Sequence, residues 1–238
     1  MHFLNAKQSL LLIGLGIFDC FSGSAFAAEN VELCSPLHVP EGPFFPSDQH
    51  IGNTFDLTNT DSANTAIGQV LYIYGVVKNA SCKPIKNATV ILWQHDTNGS
   101  YDHKFDEGRE RKALDPNFRY YAYVKTDRDG RYLFKTILPS MNATHGVIRS
   151  AHVYFKLQHP DHEEVSSQLM FAGREHDDVR RWDAIYQNLP KAIKSRVISE
   201  LVPASKVPLL KQYLREEPAA DAFAAEFDQY LGAEKLDH

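Results

Sequence analysis

Excess positive charge is missing from this 238-residue chain: 25 Lys and Arg stand against 30 Asp and Glu, a formal net charge of −5. No basic stripe gathers what there is, which argues against a nucleic-acid partner. Long apolar runs are missing as well. The run "LLLIGLGIF" at residues 10–18 is about half the length that a membrane-spanning helix needs. There is no internal repeat and no low-complexity block. No nucleotide-binding glycine loop and no Gly-x-Ser-x-Gly is present, which removes the signatures of phosphate-cradling and serine-nucleophile enzymes. His162 and Glu163 do not form a zinc-protease helix pattern. "DRDG" at 127–130 reads as a tight turn, because the further spaced carboxylates of a calcium loop are absent. Hydrophobic residues at 43% and charged residues at 23% are ordinary for a folded soluble chain.

Cysteine is scarce too, and the N-terminus makes it scarcer. Lys7 precedes the apolar run, and small residues ending in "SAFA" at 24–27 follow it. That order is a secretory signal peptide's, with a membrane anchor as the other reading. Cleavage after Ala27 leaves 238 − 27 = 211 residues, exported to a periplasm or secreted, with no membrane attachment afterwards. Cys20 departs with the leader. Cys34 and Cys82 remain, either as two buried thiols or, as an exported compartment favours, as one disulfide tying the arm to the loop "KNASCKPIKN".

The rest divides by pattern. Residues 28–66 form an N-terminal arm, with Pro36, Pro40, Pro43 and Pro46 favouring extended chain. Residues 67–172 hold short runs rich in β-branched and aromatic residues, at 69–77, 88–94, 119–126, 131–137, 147–157 and 167–172, separated by turn signals. That spacing predicts an all-β core, a β-sandwich of short antiparallel strands. Residues 173–238 show helical apolar spacing and predict a mostly helical C-terminal extension packed on the same domain. Its end, 219–231, fits either a helix or a last strand.

Within the core, "IRSAHVYFKL" at 148–157 reads as one strand. Side chains two apart share a face, so His152 and Tyr154 project side by side. An imidazole and a phenol so placed are either two polar groups in a core or two ligands of one metal ion. His95, which follows Gln94 and reads as pointing away from Trp93's face, and His103 flank Tyr101; both read as solvated loop residues, with pocket lining as the other reading. His159, His162 and His176 lie among charge runs that mark a solvated face.

Several fragments have to be taken together: "EGPFFP", "ATVILWQHDTNGSYDHK", "LDPNFR", "KTDRDGRYLFKTILP", "IRSAHVYF", "HP" and "SQLMF". In this order, over about residues 34–172, they resemble the intradiol ring-cleavage dioxygenases, the family of protocatechuate 3,4-dioxygenase and catechol 1,2-dioxygenase. The resemblance implies a β-sandwich holding a non-haem Fe(III) on two tyrosinates and two histidines, acting on a small aromatic diol and O2. It places Tyr101 at the first tyrosine ligand, His152 at the first histidine, and Arg149 and Gln168 at the catalytic residues that stabilise and orient the bound catecholate. Two positions depart. Asn142 stands at the second tyrosine and Tyr154 at the second histidine.

Three site readings follow. Tyr101, His152 and Tyr154 are joined by His145 in a rearranged iron site. The same three hold iron with positions left open. Or the iron is lost and the protein is a non-catalytic exported binding module on the same sandwich.

Overall fold

Apolar side chains recur two apart along the strand-forming runs, and this alternation lets each sheet bury one whole face. The computed structural model describes residues 34–47, 50–60, 64–106, 113–144 and 146–235. The leader and His145 lie outside them. Thirteen strands and four short helices follow one another along these residues.

The first sheet runs β1 (Gly52–Asn53), β4 (Tyr121–Lys125), β3 (Thr89–Trp93), β8 (His152–His159), β9 (His162–Phe171), β10 (Ile198–Ser199) in spatial order. The second is built on β2 (Val70–Lys78). It pairs antiparallel with β5 (Arg131–Ile137) and parallel with β12 (Phe223–Glu226) and β13 (Gln229–Tyr230), while β11 (Val202–Pro203) pairs with β12. A hairpin, β6 (Asn142–Thr144) with β7 (Val147–Arg149), stands apart. The expected sandwich is therefore present. Leu92, Val153, Phe155 and Leu169 of one sheet pack against Ile73 and Phe134 of the other. Gly75 is required where β12 gives way to β13, because a Cβ there would meet the Phe227 carbonyl oxygen at 2.2 Å.

The first sheet is buried on its other face as well, and that face holds the site. Alternation sends Val153 and Phe155 into the sandwich core and leaves Tyr154 outward with Ile91 and Trp93. Pairing across the strands then sets Tyr121, Trp93, Tyr154 and Gln168 in one row over β4, β3, β8 and β9. The arm covers this row. Phe45 meets Trp93 edge-on at 5.0 Å, and Lys156 Nζ sits 4.4 Å over the Phe45 ring. Cys34 and Cys82 form a disulfide, with Cα atoms 5.4 Å apart, that ties the arm to the loop after β2.

Two expectations change. The run at 148–157 is not one strand but the end of β7 and the start of β8, broken at Ser150 and Ala151. The cause is a competing partner: Ser150 gives its backbone N–H to the Asp183 carboxylate at 2.9 Å instead of to a sheet neighbour. The C-terminal segment is also less helical than its spacing predicts. It carries α1 (Arg174–Arg180), α2 (Ala184–Asn188), α3 (Lys191–Lys194) and α4 (Pro208–Leu214), but β10 to β13 interleave with them and enter both sheets. Strands of two to four residues are too short to display a period of two. Pro203 and Pro208 also stop helices from running on through this segment.

Candidate functional site

Tyr101 reaches the site from a turn that the sequence dictates in detail. Asp96 accepts hydrogen bonds from the N–H groups of Asn98 at 2.8 Å and Ser100 at 3.1 Å, an Asx-type turn. Gly99 takes φ +81°, a conformation that favours glycine. Asp106 then accepts the Tyr101 N–H at 2.7 Å. The phenol that emerges is buried, stacks on Phe44 at 4.5 Å and meets His152, with Tyr101 Oη 3.0 Å from His152 Nε2.

His152 is oriented from behind. Its Nδ1 lies 2.6 Å from the Ser150 carbonyl, so Nδ1 carries the proton and Nε2 is the acceptor facing Tyr101. Burial, with Arg149 and His95 adding to it, holds this imidazole well below its usual pKa, so it is neutral. Burial raises the Tyr101 phenol well above 10, and Tyr154 adds to the rise while Arg149 opposes it. A phenol so placed ionises only beside a strong positive charge.

Tyr154 stacks flat on Trp93, 5.1 Å between ring centres and 8° between planes. Its hydroxyl accepts from Arg149 Nη1 at 3.0 Å. The other Arg149 donors are also placed. Nη2 reaches Gln168 Oε1 at 3.1 Å and Nε reaches Asp183 Oδ1 at 3.0 Å. Asp183 is wholly buried and caps α2 by accepting from the N–H groups of Ile185 and Tyr186. Tyr101, His152, Tyr154 and Arg149 line one cavity of about 240 Å³, closed on the arm side by Pro43 and Phe44 and elsewhere by Asn142, Val147 and Ile185.

Of the residues named from the sequence, Tyr101, His152, Tyr154 and Arg149 gather around one space, Gln168 reaches it only through Arg149, and His145 lies outside the described residues. Asn142 occupies its expected place on the cavity wall and donates through Nδ2 to the Gly99 carbonyl at 2.8 Å. The solvated reading fails for His95, His103 and His162, all of which are buried. His103 meets Phe44 edge-on and accepts the Phe105 N–H through Nδ1. His162 Nδ1 lies 3.2 Å from the Gly232 carbonyl. His95 bears directly on the site. It has no exposed surface, and its ring centre lies 5.3 Å from that of Tyr101 and 5.4 Å from that of His152. The signal was available, because strict alternation from Trp93 sets His95 on the same face. Asp183 was also missed, and nothing near it in sequence announces a partner 34 residues away.

Among the described residues no three His, Cys, Asp or Glu side chains gather at metal-binding spacing, so any ion held here takes tyrosine oxygens. The donors suit ferric iron: neutral imidazole nitrogens and phenols that a hard trivalent charge would ionise. Tyr101 Oη and His152 Nε2 are 3.0 Å apart, which is the separation of two atoms each about 2 Å from a shared ion. The buried His95 Nε2 has no hydrogen-bond partner.

Comparison with known proteins gives consistent relatives. A family model described as "Dioxygenase" matches residues 40–212. The protocatechuate 3,4-dioxygenase beta chain of Burkholderia cepacia is 33% identical over 150 residues, 60% of this chain and 61% of that protein. The catechol 1,2-dioxygenase of Acinetobacter baylyi is 28% identical over 188 residues, 71% of this chain and 57% of that one. The match thus spans about three fifths of each relative's length. In fold, the catechol 1,2-dioxygenase of Pseudomonas arvilla C-1 superposes with a TM-score of 0.60 at 22% identity, covering 87% of this chain and 66% of its own. An intradiol ring-cleavage dioxygenase from Tetranychus urticae does so at 0.59 and 20%, covering 83% and 94%.

Proposed function

Because the chain belongs to the intradiol ring-cleavage dioxygenase family, we propose that it is an exported enzyme that opens a small catechol-like aromatic with O2 at a non-haem Fe(III) centre. Tyr101, His152 and Tyr154 would hold the metal. Both atoms of O2 enter the product, one on each hydroxyl-bearing carbon, and the bond between those carbons breaks to leave two carboxylic acids. Ferric iron, when bound, supplies the charge that ionises phenol and catechol oxygens and the redox partner that spin-paired organic substrates lack toward O2.

The chain's own residues supply the rest. The Ser150 carbonyl holds the proton of His152 on Nδ1, so Nε2 stays an electron-pair donor and takes the Tyr101 O–H. Arg149 keeps a fixed positive charge on the cavity wall, where it would stabilise a catecholate and the charge that develops on it. Gln168 accepts from Arg149 Nη2 through Oε1, so it would orient the catecholate through that guanidinium rather than from the cavity wall. Pro43 and Phe44 line the cavity from the arm. A cavity of about 240 Å³ falls below the roughly 300–1,000 Å³ of pockets for drug-sized ligands, which favours a single ring. The disulfide and the N-terminal sequence support export.

The observation that carries this reading is the approach of Tyr101 Oη to His152 Nε2 on the wall of a cavity that also presents Tyr154 and Arg149. Metal analysis and absorption spectroscopy of the purified protein test it. Iron and a tyrosinate charge-transfer colour are expected, with O2 uptake on addition of a catechol and loss of uptake in Tyr101→Phe. A protein that stays colourless and iron-free after reconstitution overturns it. One observation favours the binding-module reading: the Tyr154 hydroxyl is already engaged by Arg149. That reading expects no O2 uptake with any catechol, and a fold unchanged by Tyr101→Phe.

A further inference from the structure

The geometry points to His95 as a metal ligand, the second imidazole of a two-histidine, two-tyrosine set in which Tyr101, His152 and Tyr154 stand at positions the resemblance implies and His95 does not. This inference rests on the iron-centre reading above and names the residue that replaces what Tyr154 displaced.

His95 leaves β3 two residues after Trp93, and alternation turns it to the site face. Its neighbours fix it there. Gln94 points the opposite way and is anchored through Nε2 on the Ile137 carbonyl at 3.0 Å and through Oε1 by the Thr136 hydroxyl at 2.9 Å. Asp96 closes the turn that follows. An imidazole held between two such anchors keeps one orientation, as a ligand must.

Its hydrogen bonding repeats that of His152. His95 Nδ1 lies 2.8 Å from the Asp96 carbonyl, as His152 Nδ1 lies 2.6 Å from the Ser150 carbonyl. Each ring therefore carries its proton on Nδ1 and presents Nε2 as a bare lone pair. A backbone carbonyl behind and an open nitrogen in front is the usual arrangement of a metal-bound histidine. The His152 nitrogen meets Tyr101. The His95 nitrogen meets nothing, although the residue has no exposed surface. A buried polar atom left without a partner costs about 1–3 kcal/mol, so a histidine kept only for packing would have both nitrogens satisfied.

Position supplies the rest. The ring centres of His95 and His152 are 5.4 Å apart and nearly perpendicular at 77°, and Tyr101 lies 5.3 Å from His95. His95 therefore stands against both residues whose Oη and Nε2 atoms already approach to 3.0 Å. Tyr154 lies 5.1 Å from His152, so two phenols and two imidazoles stand ring against ring, with Tyr101, His152 and Tyr154 on the cavity wall. The resemblance implies that same donor count, reached here without a histidine at position 154 or a tyrosine at position 142.

The test counts imidazoles. The full chain is produced with ¹⁵N-histidine, loaded with iron, and examined by pulsed electron paramagnetic resonance. Two coupled histidine nitrogens are expected in the wild type and one in His95→Ala, whose iron dissociation constant should rise by on the order of 100-fold or more. Added imidazole should restore the second coupling in His95→Gly. The wild-type count does not depend on any variant folding. A wild type that takes up iron, shows the tyrosinate band and yet gives one coupled imidazole overturns the His95 assignment and leaves the dioxygenase reading standing. Two couplings retained in His95→Ala overturn it equally. A wild type that takes up no iron overturns both.

Discussion

Arg149 shows what a single side chain was able to announce. The family resemblance, through the arginine just before "AHVYF", marks it as the charge beside the site, and the structure sets it on the cavity wall. Its partner could not be read in the same way. Asp183 lies in "RRWDAIYQ", where its nearest role is a helix cap, and only folding brings it to the guanidinium. The pair is nearly sealed, with side chains 12% and 0% exposed. Removing the carboxylate strands a buried cation and four other donors, the two N–H groups at the start of α2 and the N–H and hydroxyl of Ser150. Breaking such a pair costs about 3–5 kcal/mol. Asp183→Ala should lower the unfolding free energy by that amount in urea denaturation, with a lower kcat/KM toward catechol. His95 is the opposite case. Two residues on from Trp93 it shares that residue's face, and the expectation went astray by turning it to the opposite face and into a solvated loop.

At the scale of elements, strands that stand between clear turn signals were legible to within a residue or two. The run 131–137 is β5 without change, because "DRDG" ends one strand and begins the next. Elements interrupted by side-chain hydrogen bonds were not legible, as the break at Ser150 shows, and neither were the short strands of the C-terminal segment. The turn before Tyr101 lies between these cases: its residues declare a turn, but not that it aims a phenol into a cavity. Gly99 carries that turn at φ +81°, and a Cβ there would meet Asn142 no closer than 3.7 Å. Strain, not collision, is therefore the cost of replacing it, about 1–2 kcal/mol for an L-residue. Gly99→Ala should reduce thermal stability by that amount in calorimetry. It should also weaken the tyrosinate charge-transfer band of the iron-loaded protein, as Tyr101 shifts with its turn.

For the whole molecule, the sandwich and its family were readable because they rest on many residues in order, whereas the site was readable only where it keeps the family's positions. The two departures at 142 and 154 do not empty the space they face. The disulfide acts at this scale, closing a span of 48 residues between the arm and the loop after β2. A cross-link over that span restricts the unfolded chain by about 4 kcal/mol. Cys34→Ser with Cys82→Ser should lower the unfolding free energy by about 2–5 kcal/mol, measured against the oxidised parent in guanidinium. The arm beyond the cross-link supplies Pro43 and Phe44, so cavity closure and global stability are coupled through one bond.

The clasp between Arg149 and Asp183 also has a bearing on how the protein is made. A ribosome delivers most of the cavity wall, from Pro43 to Tyr154, before it delivers the carboxylate that steadies the guanidinium within it, and Ile185 follows two residues later. A nascent chain can therefore pair the long strands of its sheets while that charge is still unaimed, and the pocket acquires its last wall residue and its final electrostatics only when the late segment docks.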